Sequence, residues 1–94
     1  MDHEVRYSHE AVEQLRKLRA FERAAILDQI EKVLRVSPTR PSKTTVKRLR
    51  PPAPTDYRLR VGEYRVFYDV SEDVVFIVQV LSKQDSIGYL GEST

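Results

Sequence analysis

An α+β fold is predicted, with a helical hairpin packed on one face of a largely antiparallel four-stranded sheet. Residues 57–70 alternate apolar and polar side chains on both sides of Gly62-Glu63, which is typical of two strands joined by a tight turn. Apolar residues recur at helical spacing in residues 9–19 and about 22–36, and residues 74–81 are apolar and rich in β-branched side chains. The predicted order is therefore β-α-α-β-β-β, followed by a short C-terminal helical turn.

The N-terminal part of the chain contains the first strand and the first helix. Residues 3–7 alternate loosely, which indicates a short strand. Ser8 follows and is a residue type that favours the N-cap of a helix. Ala11 and Leu15 then begin an apolar stripe at helical spacing, so we expect the first helix to occupy residues 9–19.

The second helix is predicted at about residues 22–36, after a short break near residues 20–21. Ile26 and Ile30 lie on its apolar face, while charged pairs of opposite sign lie outward. Pro38 lies just beyond the helix and indicates where it must end. We expect this helix and the first one to form an antiparallel hairpin on the sheet.

The remaining predicted strand and two less regular stretches complete the pattern. Residues 46–50 form at most a short extended piece, and the prolines in residues 51–54 make a stiff connector that cannot pair inside a sheet. The apolar run at residues 74–81 is predicted to be the central strand. In a regular strand Gln79 would share a face with Ile77, because side chains two positions apart point the same way.

The hairpin in residues 57–70 brings three arginines onto one face. A two-residue turn places Val61 opposite Tyr64, so Arg60 lies directly across from Arg65 and Arg58 follows two residues along. Like charges opposite one another destabilise a sheet. We expect this face to be open at one end, where an anionic ligand such as phosphate would relieve the repulsion.

The charge distribution and the residue content narrow the function further. The chain has 94 residues and a net charge of +2, but residues 40–65 contain eight basic and two acidic residues. This asymmetry indicates a polyanionic partner. There is no cysteine, and two histidines, His3 and His9, do not make a metal site, so we expect no metal and no cofactor. Without a signal peptide or an apolar run long enough to span a membrane, residues 1–94 are expected to be one cytoplasmic domain with no membrane partner.

This pattern resembles the RelE/ParE superfamily of toxins from bacterial type II toxin–antitoxin pairs. The resemblance covers most of the chain, and its most specific part is the block YRLRVGEYRVFY at residues 57–68. Tyr7-Ser8 before the first helix, Lys47-Arg48-Leu49 after the second, and Lys83 with Tyr89 near the C-terminus complete it. The resemblance implies a cognate antitoxin that covers apolar grooves beside the helices or the sheet.

The resemblance to RelE-type members implies metal-independent cleavage of messenger RNA in the ribosomal A site. An enzyme with this activity inhibits translation and is called an mRNA interferase. The 2′-OH attacks the adjacent phosphate and leaves a 2′,3′-cyclic phosphate. The resemblance implies that Arg65 stabilises the transition-state phosphate, that Lys83 is the acid, and that Tyr89 stacks on or orients the nucleotide. The implied RNA-binding residues are Arg58, Arg60, Lys43, Lys47, Arg48 and Arg50.

Two alternatives remain open, because the pattern departs from the RelE type: Lys83 stands where the family has an arginine, and no histidine falls in the motif region. RelE-type enzymes have lysines where this chain has Arg58 and Arg60, and arginine is a poor proton acceptor. Lys47 or Lys43 would then have to supply the general base. One alternative is a ParE-type toxin that binds DNA gyrase without cleaving RNA. The other is a degenerate member that binds only its antitoxin and contacts operator DNA through that complex.

Overall fold

A mixed sheet of five strands forms the centre of the molecule, which a computed structural model describes for residues 2–91. The elements are β1 (Glu4–Tyr7), α1 (His9–Arg16), α2 (Ala20–Gln29), a π-helical turn (Ile30–Leu34), β2 (Val46–Arg48), β3 (Tyr57–Val61), β4 (Tyr64–Ser71), β5 (Val74–Ser82) and α3 (Lys83–Tyr89). The strand order is β1-β5-β4-β3-β2, with β1 parallel to β5 and the other neighbours antiparallel. The predicted α+β fold is confirmed.

The fifth strand corrects the prediction of four. Val46 pairs with Leu59 and Arg48 pairs with Tyr57, so β2 extends the hairpin by one short edge strand. Val46 is buried while the next two residues are exposed. Three residues are too few to show an alternating pattern, which is why the sequence indicated only an extended piece.

The boundary between the two helices differs from the prediction. The Ser8 hydroxyl accepts a hydrogen bond from the Ala11 backbone N–H at 3.0 Å, so the predicted N-cap is confirmed. The helix α1 ends at Arg16, however, and α2 already begins at Ala20. The Arg23 guanidinium donates to the carbonyl oxygens of Leu15 and Leu18 at 3.3 and 3.1 Å, which satisfies groups that the end of α1 leaves free.

The core lies between the helical layer and one face of the sheet. Its fully buried members include Ala11, Ile26, Ile30 and Leu34 from the helical segments and Leu59, Val66, Tyr68, Val75 and Ile77 from the sheet. Tyr68 stacks on Tyr57 with ring centroids 5.5 Å apart, and its hydroxyl donates to the Pro38 carbonyl at 2.6 Å. The segment after the second helical region is thereby attached to the sheet.

An irregularity in β5 overturns the predicted placement of Gln79. Tyr68 pairs with Ile77, but its neighbour Phe67 pairs with Gln79, so the strand shifts register between them. Gln79 therefore lies on the face opposite to Ile77, and Val80 takes the buried position. A bulge that skips one residue exchanges the faces of everything after it, which a period-two pattern cannot reveal.

Side chains from the α1 region complete the outer edge of β5 where β1 ends. The Ser8 hydroxyl donates to the Val78 carbonyl at 2.7 Å. The Gln14 side chain accepts from the Val80 N–H at 2.5 Å and donates to the Gln79 side chain at 2.6 Å.

The strand β5 lies between β1 and β4, and the central position in the sheet belongs to β4, contrary to the prediction.

The helix α3 covers part of the arginine face, which was expected to be open at one end. It begins at the Ser82 N-cap, whose hydroxyl accepts from the Asp85 N–H at 3.1 Å. Tyr89 packs edge-on against Phe67 with ring centroids 4.9 Å apart, and Phe67 is fully buried.

In residues 2–91, no helix has the length and apolar character needed to cross a membrane.

Candidate functional site

The three arginines of the hairpin occupy the predicted face. Arg60 pairs with Arg65, and Arg58 pairs with Phe67. The turn between the strands contains Gly62 at a φ of 57°, a conformation that glycine adopts without strain. Burial lowers the pKa of Arg58, and the nearby charges of Arg65 and Arg60 lower this pKa further. The hairpin register therefore places like charges next to one another, as predicted.

Arg65 has a structural role that the sequence did not reveal. Its side chain is buried, with only 7% of the residue exposed. One guanidinium nitrogen, Nη1, donates to the carbonyl oxygens of Gly62 and Tyr64, each at 2.9 Å. Burial lowers the pKa of Arg65, and Arg60 adds to this effect. The turn therefore holds the Arg65 guanidinium in a set position.

Arg58 is in the opposite situation. Its side chain is half-buried, and its Nε atom is buried without a hydrogen-bond partner within residues 2–91. A buried donor without a partner costs roughly 1–3 kcal/mol. Guanidinium groups bind phosphate through charge-assisted hydrogen bonds, so the exposed part of the Arg58 side chain suits a phosphate oxygen, whereas its buried Nε is not accessible to one.

Arg58 opens onto a cleft of about 470 Å³ that we call the basic cleft. Its cationic lining consists of Lys47, Arg48, Arg50 and Arg58. Its apolar wall consists of Leu49, Pro52, Ala53 and Leu90. Within the described part of the chain no acidic side chain lines this cleft. The cleft therefore attracts anions and also offers an apolar surface.

The short strand β2 brings the cations together. Lys47 pairs directly with Arg58, and Arg48 pairs with Tyr57. The Arg48 guanidinium donates to the Tyr57 hydroxyl at 2.8 Å and lies 5.3 Å from the centroid of the Tyr57 ring. Arg48 is thus held against the sheet. Four of the six predicted RNA-binding residues, Lys47, Arg48, Arg50 and Arg58, line one cavity.

The other predicted cations lie elsewhere. Arg60 and Lys43 are exposed, and neither lines the basic cleft. Lys83 is the exposed first residue of α3, and its backbone N–H donates to the Glu63 carbonyl at 2.7 Å. We call Arg60, Arg65 and Lys83 the turn-end cluster, because all three adjoin the turn between β3 and β4.

Tyr89 lies between these two regions, near the end of α3. Its ring covers Phe67, which pairs with Arg58. Burial raises the pKa of Tyr89, and the negative charges of Asp69 and Glu10 raise it further. The apolar wall of the basic cleft was not predicted, although the run of prolines in residues 51–54 is a signal of stiffness that could have drawn attention to it.

A second cavity lies beside the helices. This apolar groove of about 260 Å³ is lined by Tyr7, Val12, Leu15, Arg16, Arg23 and Leu27. Phe21, in the first turn of α2, is also largely exposed. The position of the groove agrees with the expectation of an apolar groove beside the helices.

Solved structures with a similar fold come from toxin–antitoxin systems. A chain of the toxin–antitoxin complex RelBE2 from Mycobacterium tuberculosis is 25% identical, with a TM-score of 0.73 over 87% of this chain and 99% of that one. A chain of the archaeal RelE–RelB complex from Pyrococcus horikoshii is 26% identical, with a TM-score of 0.71 over 88% and 97%. A mutant of the E. coli toxin RelE in the free state, 22% identical over 98% and 97% of the two chains, has a TM-score of 0.70 and shows the shared fold.

The sequence itself matches a family model over nearly its whole length. The model describes the ParE toxin of the parDE type II toxin–antitoxin system, and it matches residues 5–87. A comparison with curated protein sequences finds no match. The family model carries the ParE description and the similar structures carry RelE descriptions, which are two branches of one superfamily. This chain belongs to the ParE toxin family of type II toxin–antitoxin systems, within the RelE/ParE superfamily.

Proposed function

We propose that this toxin is a ribosome-dependent mRNA endonuclease that binds the RNA backbone in the basic cleft. The observation that carries the proposal is the cleft itself, which four cations line with no acid in the described lining. Cationic grooves bind single-stranded nucleic acid mainly through its phosphates. This arrangement suits RNA better than an uncharged protein surface.

The proposed reaction is an intramolecular transfer at phosphorus. The 2′-oxygen forms a bond to the adjacent phosphorus while the bond to the 5′-oxygen breaks, which leaves a 2′,3′-cyclic phosphate. The 2′ proton goes to a base, and the leaving oxygen receives a proton from an acid. We assign the base to Lys47, because it is the lysine that lines the cleft beside Arg58 and lysine can lose its proton.

The turn-end cluster supplies the other groups in this proposal. Lys83 is exposed and is assigned as the acid for the 5′-oxygen. Arg65 stabilises the charge that develops on the phosphate, with its guanidinium already held by the turn. Tyr89, at the other end of α3, orients the nucleotide between the two regions.

Two observations favour a second candidate function, inhibition of DNA gyrase without RNA cleavage. The family model that matches is described as the ParE toxin. The arginines at positions 58, 60 and 65 are unsuited to accept a proton, so cleavage depends on Lys47 alone among the residues of the cleft.

In either case we propose a cognate antitoxin as the partner protein. The apolar groove beside α1 and α2 provides a surface for an apolar segment of that partner. Negative charge on the antitoxin would complement the basic cleft and keep RNA out of it. The similar structures from M. tuberculosis and P. horikoshii are themselves described as toxin–antitoxin complexes. Operator DNA would be contacted only through such a complex.

Primer extension on translated mRNA after induction tests the endonuclease directly. We expect cuts in phase with codons for the wild type and for Arg40→Gln, a control that removes a charge outside the cleft. Loss of the acid in Lys83→Ala should slow cleavage by about a hundredfold or more. RNA binding by that variant should change little.

Other outcomes identify the competing functions. Growth arrest with DNA damage and without cuts would contradict the endonuclease and support action on gyrase. If the induced protein neither arrests growth nor cuts mRNA, the chain is a degenerate member that binds its antitoxin.

A further inference from the structure

We propose that the basic cleft is a nucleotide subsite that receives one base of the RNA as well as its phosphate. Arg58 and Arg50 hold the phosphate, and the apolar wall packs against the base. The inference rests on RNA being the target of this toxin. A cleft of 470 Å³ lies within the range of roughly 300–1,000 Å³ that sites for small ligands occupy.

The composition of the lining distinguishes a nucleotide from a bare phosphate. A site that only follows a phosphate backbone needs cations and polar groups. Here the cations on β2, on β3 and in the connector face a space that also contains Leu49, Pro52, Ala53 and Leu90. Those apolar side chains gain nothing from a phosphate, whereas a nucleotide has a charged end and an apolar base.

The apolar wall is held in place before any ligand binds. The Leu49 N–H donates to the Asp56 carbonyl at 2.8 Å, which closes the connector between β2 and β3. The Asp56 N–H in turn donates to the Asp69 carboxylate at 2.7 Å. Prolines at positions 51, 52 and 54 restrict the backbone between these ties. A rigid wall loses little conformational freedom when a base packs on it, which favours binding.

Arg48 also lines the cleft, but its side chain shares a face with Tyr57 and not with Lys47 and Arg58. Its guanidinium is attached to the Tyr57 hydroxyl at 2.8 Å and packs on the Tyr57 ring. A base in the cleft would therefore pack on the apolar wall and not on the Arg48 guanidinium. The cleft therefore contains a binding group for each part of a nucleotide, namely Arg58 and Arg50 for the phosphate and the apolar wall for the base.

Titration of the full chain with three phosphorylated probes tests the subsite. Isothermal titration calorimetry with inorganic phosphate, ribose 5-phosphate and a nucleoside 5′-monophosphate separates the contribution of the base from that of the phosphate. We expect the nucleoside monophosphate to bind roughly tenfold more tightly than ribose 5-phosphate, since base stacking contributes that much or more. A short single-stranded RNA should compete with the mononucleotide.

Variants at the end of α3 provide a matched pair. Leu90→Ala shortens the apolar wall, whereas Ile87→Ala removes an exposed apolar side chain of the same helix that lies outside the cleft. Leu90→Ala should weaken nucleoside monophosphate binding roughly three- to tenfold and leave ribose 5-phosphate binding unchanged. Ile87→Ala should change neither, and Arg58→Gln should weaken both.

Equal affinities for the nucleoside monophosphate and ribose 5-phosphate would overturn the subsite, as would equal behaviour of Leu90→Ala and Ile87→Ala. Mononucleotide binding that a short RNA does not displace would also overturn it. The titrations test the subsite, and the cleavage assay tests the endonuclease separately. A protein that cuts mRNA without preferring the nucleoside monophosphate refutes the subsite alone, whereas one that binds it with RNA competition but never cuts refutes only the endonuclease.

Discussion

The turn-end cluster and the basic cleft use the same residue type in different ways. Arg65 is buried and donates to the carbonyl oxygens of Gly62 and Tyr64. Arg58, on the same face of the neighbouring strand, has a buried Nε without a partner among the described residues. Arg65 therefore donates to its own chain, whereas Arg58 keeps a buried donor without a partner.

This difference shows how the sheet tolerates like charges in register. Arg60 lies directly opposite Arg65, a pairing expected to destabilise the hairpin. Two carbonyl oxygens with partial negative charge bind the Arg65 guanidinium, while Arg60 points into solvent, where water screens its charge. At the turn, two carbonyl oxygens therefore relieve part of the repulsion that was expected to require an anionic ligand. In the cleft, the Nε of Arg58 has no such acceptor among the described residues.

The largest expected effect is the loss of stability in Arg65→Ala. Truncation leaves the Gly62 and Tyr64 carbonyl oxygens without their donor and opens a space in a buried position. We expect the free energy of unfolding to fall by about 2 kcal/mol, measured by urea denaturation. Arg60→Ala, at the exposed position across the hairpin, should change it by less than about 0.5 kcal/mol. Equal losses in the two variants would remove the distinction between a structural and a solvated arginine.

Arg58→Gln should show the reverse behaviour, with a loss of binding and no loss of stability. Affinity for a single-stranded RNA oligonucleotide is expected to fall about tenfold, because a charge-assisted contact to phosphate is lost. The slope of log affinity against log salt should decrease by about 0.7. Stability should not fall, since burial already lowers the pKa of Arg58 and thus disfavours its charge. Fluorescence anisotropy, with Arg40→Gln as the control variant, measures the affinity and its salt dependence. A fall in the urea midpoint would contradict the expected stability.

Variants at Tyr89 measure how much the contact between α3 and Phe67 contributes to the free energy of unfolding. Replacing it in Tyr89→Leu removes the edge-on contact with Phe67 while keeping an apolar side chain over that ring. We expect a loss of about 1 kcal/mol in the free energy of unfolding. Tyr89→Phe keeps the ring and should retain nearly full stability. A similar loss in both variants would assign the stability to the hydroxyl instead of the ring contact.

The smallest expected effect is a difference in RNA affinity between variants of Lys47 and Lys43, two lysines of the same basic segment. Lys47→Gln removes a cation that lines the basic cleft, and Lys43→Gln removes one that does not. RNA affinity should fall roughly threefold in the first variant and less than twofold in the second, because an exposed lysine contributes mainly through screened charge. Anisotropy at several salt concentrations compares them. A larger loss in Lys43→Gln would mean that RNA follows the connector outside the cleft.

Much of the fold could be predicted because it depends on short-range spacing. Alternation around Gly62-Glu63 predicted the pairing of Arg60 with Arg65, and Ser8 was correctly predicted as an N-cap. Of the candidate site, the basic character of residues 40–65 and the shared arginine face were predictable. The partition of those cations into two regions was not, because it depends on which side chains the folded chain covers.

Local sequence determined the features that neighbouring residues decide among themselves: the two helical stripes, the hairpin and its cationic face. Only the tertiary structure decided the pairing of β2 with β3, the bulge opposite Phe67 and the position of α3. Each of these depends on contacts between segments far apart in the chain. The local periodicity of apolar residues gives no information about the free energy of such contacts. Those contacts place Lys47 beside Arg58, set Leu90 in the wall of the same cleft, and leave Arg65 bound within the turn.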